Sequence, residues 1–256
     1  MKKLLLSALL TACAFPAFAE KPLIISTDGT YPPFAEMNAN GEMVGFDIDI
    51  AKALCAEMKR KCEFKQVDWD GLIPALNNEQ VDALIASMNA NDERQKVVDF
   101  TEPYYSNPGL FVRKKGSNIE ISDEGLKGKT IGVLASSIWD DYATQKYGKI
   151  AKIDRYTSQD DANLDAQKGV VDVLLADKIV MKDGFLDRDS GKDFEAVGDE
   201  VKDKQYLGDG IAIAVRKSDP ELRDAFNAAI KAIRKNGEYK KVNDKYFNYD
   251  IYGIDD

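Results

Sequence analysis

Residues 81–98 read VDALIASMNANDERQKVV. The first seven are apolar apart from Asp82 and Ser87, the composition of a strand covered on both faces. The run then ends in small polar residues, and a helix is predicted over NDERQKVV, opening with Asp92 and Glu93, acidic residues suited to its positive end. VDVLLAD at 171–177 repeats the Val, Asp, Leu and Ala of VDALIAS at the same offsets. Two accounts stand: two lobes of one design, or the chance likeness of two buried strands. In open α/β sheets ligands sit beyond the carboxyl ends of strands, so on the first account Ser87 and Asp177 are facing tips of one cleft.

Outward from this stretch, strand-like and helical runs alternate, which points to an α/β architecture. PLIIST (22–27), CEFKQV (62–67), KTIGVL (129–134), IAKIDRY (150–156) and VVDVLLAD (170–177) read as strands. GFDIDIAKALCAEM (45–58) places Phe46, Ile50, Ala53 and Leu54 on one helical face, DGLIPALNNEQ (70–80) is a short helix, and two more span 137–147 and 158–168. In SDPELRDAFNAAIKAIRKNG (218–237), Pro220 suits a first helical turn and Asn236-Gly237 a stop.

The chain has 256 residues, 44% hydrophobic and 31% charged, enough for one large or two modest cores. Its start, MKKLLLSALLTACAFPAFAE, combines a basic end, an apolar run and Ala17-Phe18-Ala19, the pattern of a secretory signal cut after Ala19. No other segment approaches the ~20 apolar residues of a membrane span. Leu10-Thr11-Ala12-Cys13 resembles a lipobox, but the apolar run before Cys13 is short and no polar tether follows, so lipidation there is the lesser alternative. Losing Lys2 and Lys3 takes the formal charge from −9 to −11, which argues against nucleic acid. It also leaves Cys55 and Cys62 in an oxidising compartment, where pairing is the default. The sequence contains no histidine, which excludes Ser-His-Asp, Cys-His and other histidine-based chemistry and weakens any metal reading of the two thiols.

A binding reading rests on a few side chains. Arg94 offers a two-pronged donor that matches a carboxylate, with Ser87, Asn89 and nearby backbone N–H groups completing the grip. GVLASSIW (132–139) ends a second strand in Ala135-Ser136-Ser137 and enters a helix at Ile138, another set of N–H donors. Asp177 would face an ammonium group. Tyr31 and Trp69 could sandwich a side chain, with Asp28 near its charged end. Blander readings stand beside these: a surface pair of Arg94 with neighbouring acids, a helix N-cap for Asp177, lobe packing for the two rings.

Together, TDGTYPPF, GFDIDIAKALC, DGLIPAL, DERQKVVDFTEPYY, LKGKTIGVL and KYFNYDIYG make the chain resemble the periplasmic substrate-binding proteins of polar amino acid ABC transporters, especially the lysine/arginine/ornithine, histidine and arginine binders. The resemblance covers essentially everything after the signal. It implies a Cys55–Cys62 disulfide, Arg94 on the ligand carboxylate, Asp177 on the α-ammonium, Tyr31 and Trp69 against the ligand side chain and Asp28 near its charged end. It also places Ala86, Ser87, Asn89, Ser137 and Ile138 in the site. The chain departs from the family pattern in Ala86-Ser87 where two serines are common, in Asn89 where Ser or Asp is usual, and in Ser136-Ser137-Ile138 followed by Trp139 where Gly-Thr-Thr and a smaller polar residue are common. Backbone donors survive these changes and hydroxyl donors do not.

The expectation is therefore a two-lobed periplasmic binding protein fold, type II-like, each lobe a mixed sheet flanked by helices. Residues 1–19 form the signal, 20–107 the first part of lobe one, 108–207 lobe two, and 208–256 the rest of lobe one, with hinges near Tyr105 to Pro108 and Tyr206 to Gly208. The implied function is capture of an L-amino acid, preferably basic, by a periplasmic monomer that delivers it to an inner-membrane ABC permease, with no cofactor, metal or nucleic acid. A dehydratase-like enzyme with Asp28 or Asp177 as proton donor and a ligand-sensing module are the alternatives.

Overall fold

The computed structural model describes residues 21–253, so the expected signal, its cleavage point and Cys13 lie outside the described residues. In chain order the principal strands are β1 (Leu23–Thr27), β2 (Cys62–Gln66), β3 (Ala83–Leu84), β4 (Asp99–Phe100), β5 (Gly109–Lys114), β6 (Thr130–Leu134), β7 (Lys152–Tyr156), β8 (Val173–Asp177), β9 (Phe194–Val201) and β10 (Ala214–Val215). The helices are α1 (Phe46–Glu57), α2 (Leu72–Asn77), α3 (Asp92–Gln95), α4 (Ile138–Tyr147), α5 (Gln159–Gln167), α6 (Lys204–Leu207), α7 (Pro220–Asn236) and α8 (Glu238–Tyr246). Among the described residues none is long and apolar enough to cross a membrane.

Two five-stranded mixed sheets result, ordered β2-β1-β3-β10-β4 and β7-β6-β8-β5-β9. Both follow one plan: the first three strands run parallel and the last two pair antiparallel. The echoed segments VDALIAS and VDVLLAD contribute the central strand of each sheet, β3 and β8, so the likeness marks equivalent positions in two lobes. The chain passes between the sheets twice, between β4 and β5 and between β9 and β10. These two passages pair, with the Ile211 N–H donating to the Tyr105 carbonyl (2.9 Å) and the Tyr104 N–H to the Ile211 carbonyl (2.9 Å).

Several elements differ from expectation. VDALIAS is buried, but only Ala83–Leu84 lies in the ladder, because Ser87 turns into the left-handed region (φ 51°) and carries the chain off the sheet. The helix expected through Val98 is a single turn, capped when the Asn91 side chain accepts from the Arg94 N–H (3.0 Å), and Asp99 must be extended to pair with Val215. Strands β5 (Gly109–Lys114) and β9 (Phe194–Val201) were not anticipated, although turn residues flank both. By contrast α4, α5 and α7 begin where Ser137, Ser158 and Asp219 cap them, and α7 ends at Gly237.

Helix α1 is buried over most of its circumference, from Phe46 to Cys55, against α7 and α8. Its end is tied to β2 by the Cys55–Cys62 disulfide, seven residues apart in sequence. So short a loop limits the chain-entropy gain. Replacing both cysteines with serine is expected to lower the unfolding free energy by about 2–3 kcal/mol, measured by denaturant unfolding of oxidised and substituted protein, and an unchanged midpoint would show the bond contributes nothing.

Candidate ligand-binding cleft

The carboxyl ends of the central strands of both sheets converge on one cleft. Asp28 follows β1, Ser87 follows β3, Leu134 ends β6 and Asp177 ends β8, the positions where open α/β sheets bind ligands. All ten residues expected from the sequence, Asp28, Tyr31, Trp69, Ala86, Ser87, Asn89, Arg94, Ser137, Ile138 and Asp177, line a single cavity with Leu134 and Trp139. Its walls stand close together, leaving about 20 Å³ for the centre of a water-sized sphere, room for about one water molecule.

One side of the cavity presents donors. The Arg94 guanidinium, held by α3, gives one bond to the Asn89 carbonyl (3.2 Å) and lies 5.2 Å from the Trp69 ring centre. Lost hydration lowers it to about 10, opposed by Asp141, Asp177 and Tyr31. Neighbouring Glu93 pairs with Lys96 (2.6 Å), and among the described residues Arg94 makes no salt bridge, so the surface-pair reading does not hold. A partly buried guanidinium with most of its five donors free calls for an anion. Across from it, Ser137 caps α4 by accepting from the Asp140 N–H (3.2 Å), leaving the N–H groups of Ile138 and Trp139 without an intrahelical acceptor. Ser87 is less free than expected. Its N–H is spent on Asp47 Oδ2 (2.8 Å), and its hydroxyl lies 3.2 Å from the same oxygen and 2.6 Å from the Tyr105 hydroxyl. The Asn89 side-chain amide donates to the Leu207 carbonyl (3.0 Å) in the second passage between the sheets.

Another side presents carboxylates. Asp177, 3% exposed, accepts from the Tyr31 hydroxyl (2.9 Å) and from Trp139 Nε1 (3.0 Å), so it is no helix cap. Burial pushes its carboxyl up to about 7, against the pull of those two donors and of Arg94. An ionised carboxylate accepts about four hydrogen bonds, which leaves room for an ammonium group. Asp28 is also buried; it accepts from Thr30 Oγ1 (2.9 Å), and burial raises its carboxyl despite that bond.

Trp139 is turned inward, a placement the sequence left open. Its ring packs against Gly109 so closely that a Cβ there would lie 2.5 Å from Cη2 and Cζ3. Tyr31 and Trp69 also join the two lobes: Tyr31 reaches Asp177, and Trp69 Nε1 donates to the Ser136 carbonyl (3.3 Å). Arg188 meets Glu36 (3.4 Å), and Gly184 comes so near Pro32 that a Cβ would fall 2.5 Å from its carbonyl oxygen. These contacts hold the cleft closed.

Sequence reasoning missed Leu134 as a wall residue and Asp47 as a support; for Trp139 it left open whether the ring turns inward or packs in its lobe, and the structure turns it inward. Asp47 carried no signal, since an acid in the first turn of a helix is ordinarily solvated. Chemically the walls offer donors at Arg94 and the start of α4 and carboxylates at Asp177 and Asp28, the complement of a group that carries both charges. Among the described residues no cluster suits a metal ion.

Comparison with known proteins places the chain in a family. Residues 23–249 match the model of the bacterial extracellular solute-binding proteins, family 3. The chain is 46% identical to an L-arginine-binding protein of Pseudomonas aeruginosa, covering 99% of both. It is 39% identical to the lysine/arginine/ornithine-binding periplasmic protein of Escherichia coli, over 97% of this chain and 96% of the relative. Among solved structures, an ancestral arginine-binding protein bound to arginine superposes with a TM-score of 0.83 at 34% identity, covering 90% of this chain and all of the other. These relatives are binding proteins rather than enzymes.

Proposed function

Because the chain belongs to family 3 of the bacterial extracellular solute-binding proteins, we propose that it captures an L-amino acid with a basic side chain in the periplasm and passes it to an inner-membrane ABC permease. The observation that carries this reading is a guanidinium without a salt bridge, Arg94, set across one small cavity from the buried acids Asp177 and Asp28. Arg94 and the start of α4 take the α-carboxylate, and Asp177 takes the α-ammonium. Tyr31 and Trp69 flank the side chain, whose cation reaches Asp28; Ala86, Ser87, Asn89, Ser137 and Ile138 complete the wall. Residues 1–19 are removed as a signal, 20–107 and 208–256 form lobe one, and 108–207 lobe two. The protein acts as a monomer and binds without making or breaking covalent bonds. Calorimetric titration with the twenty amino acids and ornithine, together with mass spectrometry of whatever leaves freshly purified protein on unfolding, tests this. Retention of a basic amino acid in equal stoichiometry is the expected result; turnover, or binding of no amino acid, would reject it.

Closure follows from the same charges. Shutting the cleft on water alone desolvates Asp177 and Arg94, and a ligand with one ammonium and one carboxylate relieves both, which is the differential affinity that favours the closed state. The sign of the pH effect is fixed. With the cleft shut and unliganded, burial raises the Asp177 carboxyl to about 7, and opening would return it to water and toward the ordinary carboxylate value. The closed form therefore binds the proton more tightly, so falling pH favours ligand-free closure. Asp28 shifts in the same direction through its own burial, while Arg94 opposes the shift of Asp177. As pH falls below 7 the closed-to-open ratio of ligand-free protein should rise by up to about tenfold per pH unit through Asp177, with Asp28 adding in the same direction, and it should flatten above 7, read as inter-lobe energy transfer between dyes. Asp177→Asn should remove most of that slope; an unchanged slope would clear Asp177 of the effect.

A further inference from the structure

One fully buried acid beside the cavity supports its floor without lining it. Asp47 lies in the first turn of α1, fully shielded from solvent. Its carboxylate collects three donors: the Ser87 N–H (2.8 Å) and hydroxyl (3.2 Å) on Oδ2, and the Tyr104 hydroxyl (2.8 Å) on Oδ1. Burial pushes this acid up to about 7 and the three donors oppose the shift, so its hydrogen bonds are what make an ionised group tolerable there. The charge does not serve α1 alone, since an exposed acid would complement the helix start without the cost of burial.

What it does hold is Ser87. That serine sits at φ 51°, a conformation a β-carbon disfavours, and it lines the cavity. Without an acceptor for its N–H, a left-handed serine at the end of a buried strand would have little reason to stay in place. Tyr104 and Tyr105, which complete the cluster, lie in the first passage between the sheets, and Tyr105 is paired to Ile211 in the second. One carboxylate thus joins α1, the floor of the cleft and the segment on which the lobes turn.

We infer that Asp47 is a positioning residue for ligand binding: it fixes Ser87, which lines the cavity, in its left-handed conformation and keeps that floor registered with the first hinge segment. The inference rests on the functional reading above, because it needs a ligand in that cavity.

A double-mutant cycle separates positioning from plain stability. Asp47→Asn, which cannot accept all three bonds, should weaken amino acid binding by about tenfold where Ser87 is present and by less than about twofold in a Ser87→Gly background. Equal losses in both backgrounds, or no loss in either, would overturn the inference. Should Asp47→Asn fail to fold, Tyr104→Phe removes one donor and leaves the Ser87 bonds, so affinity should change by less than about twofold; a tenfold loss there would put the effect in the surrounding packing and reject the role of Ser87. Hydrogen exchange gives a ligand-free readout in the unsubstituted protein: the Ser87 amide should be protected, and rapid exchange would contradict the bond. If the unsubstituted protein binds no amino acid, the functional reading falls and this inference with it; if it binds and the cycle is additive, only the inference falls.

Discussion

Arg94→Ala is expected to weaken amino acid binding by about 2–5 kcal/mol, which at 1.4 kcal/mol per decade is some tens- to thousands-fold. The loss is large because the substitution removes the cation poised for the α-carboxylate and leaves that carboxylate desolvated in a closed cleft, facing the N–H groups at the start of α4. Lysine is no conservative replacement: a point charge cannot make the paired, planar contact, nor stack as the guanidinium does on Trp69. Folding should survive, since among the described residues the Arg94 side chain makes only the Asn89 carbonyl bond and the ring contact, and its backbone bonds remain in alanine. Titration calorimetry decides the matter alongside thermal melting. Near-normal affinity in Arg94→Ala would remove Arg94 from the site, and a large drop in melting temperature would make it a structural residue instead.

Much of this arrangement could be read from the chain before its fold was known, and the reason is physical. Strands whose carboxyl ends meet at a cleft have apolar bodies and polar tips, so VDALIAS and VDVLLAD declare both a sheet position and a site position in seven residues each. The caps of α4, α5 and α7 are equally local, because a serine or aspartate at a helix start acts through neighbours two or three residues away. The missed features are those in which both partners are distant in sequence. Asp47 and Ser87 are forty residues apart, and Tyr31 and Asp177 are 146 apart. Trp139 turns inward because Gly109, on another strand, leaves room for its ring. No local pattern encodes such a meeting. Family resemblance located the residues around the cavity, yet it could not say which of their hydrogen bonds are already taken, and Ser87 shows the difference.

Side-chain preference depends on Asp28, and its removal is expected to change selectivity rather than binding as such. Asp28 is buried with one hydroxyl partner, Thr30, and its carboxyl is raised by that burial. In the closed cleft this acid is a cost unless a cation meets it, so the free energy of closing over arginine or lysine should exceed that over glutamine. Asp28→Asn keeps the shape and removes the charge. Affinity for a basic ligand should fall by about 2–5 kcal/mol, the usual consequence of truncating one member of a buried charge pair. Affinity for glutamine should hold or rise, because the desolvated carboxylate no longer opposes closure. Carboxylate recognition by Arg94 should be untouched, so both ligands remain equally sensitive to Arg94→Ala in the Asp28→Asn background. The comparison needs four titrations, arginine and glutamine against each form of the protein. If the unsubstituted protein already binds glutamine or an acidic amino acid more tightly than arginine, the assignment of Asp28 to the ligand cation is wrong, and the preference must then come from Trp139 and the ring walls. The capture of an amino acid between Arg94 and Asp177 would stand in that case, since neither residue senses the side chain.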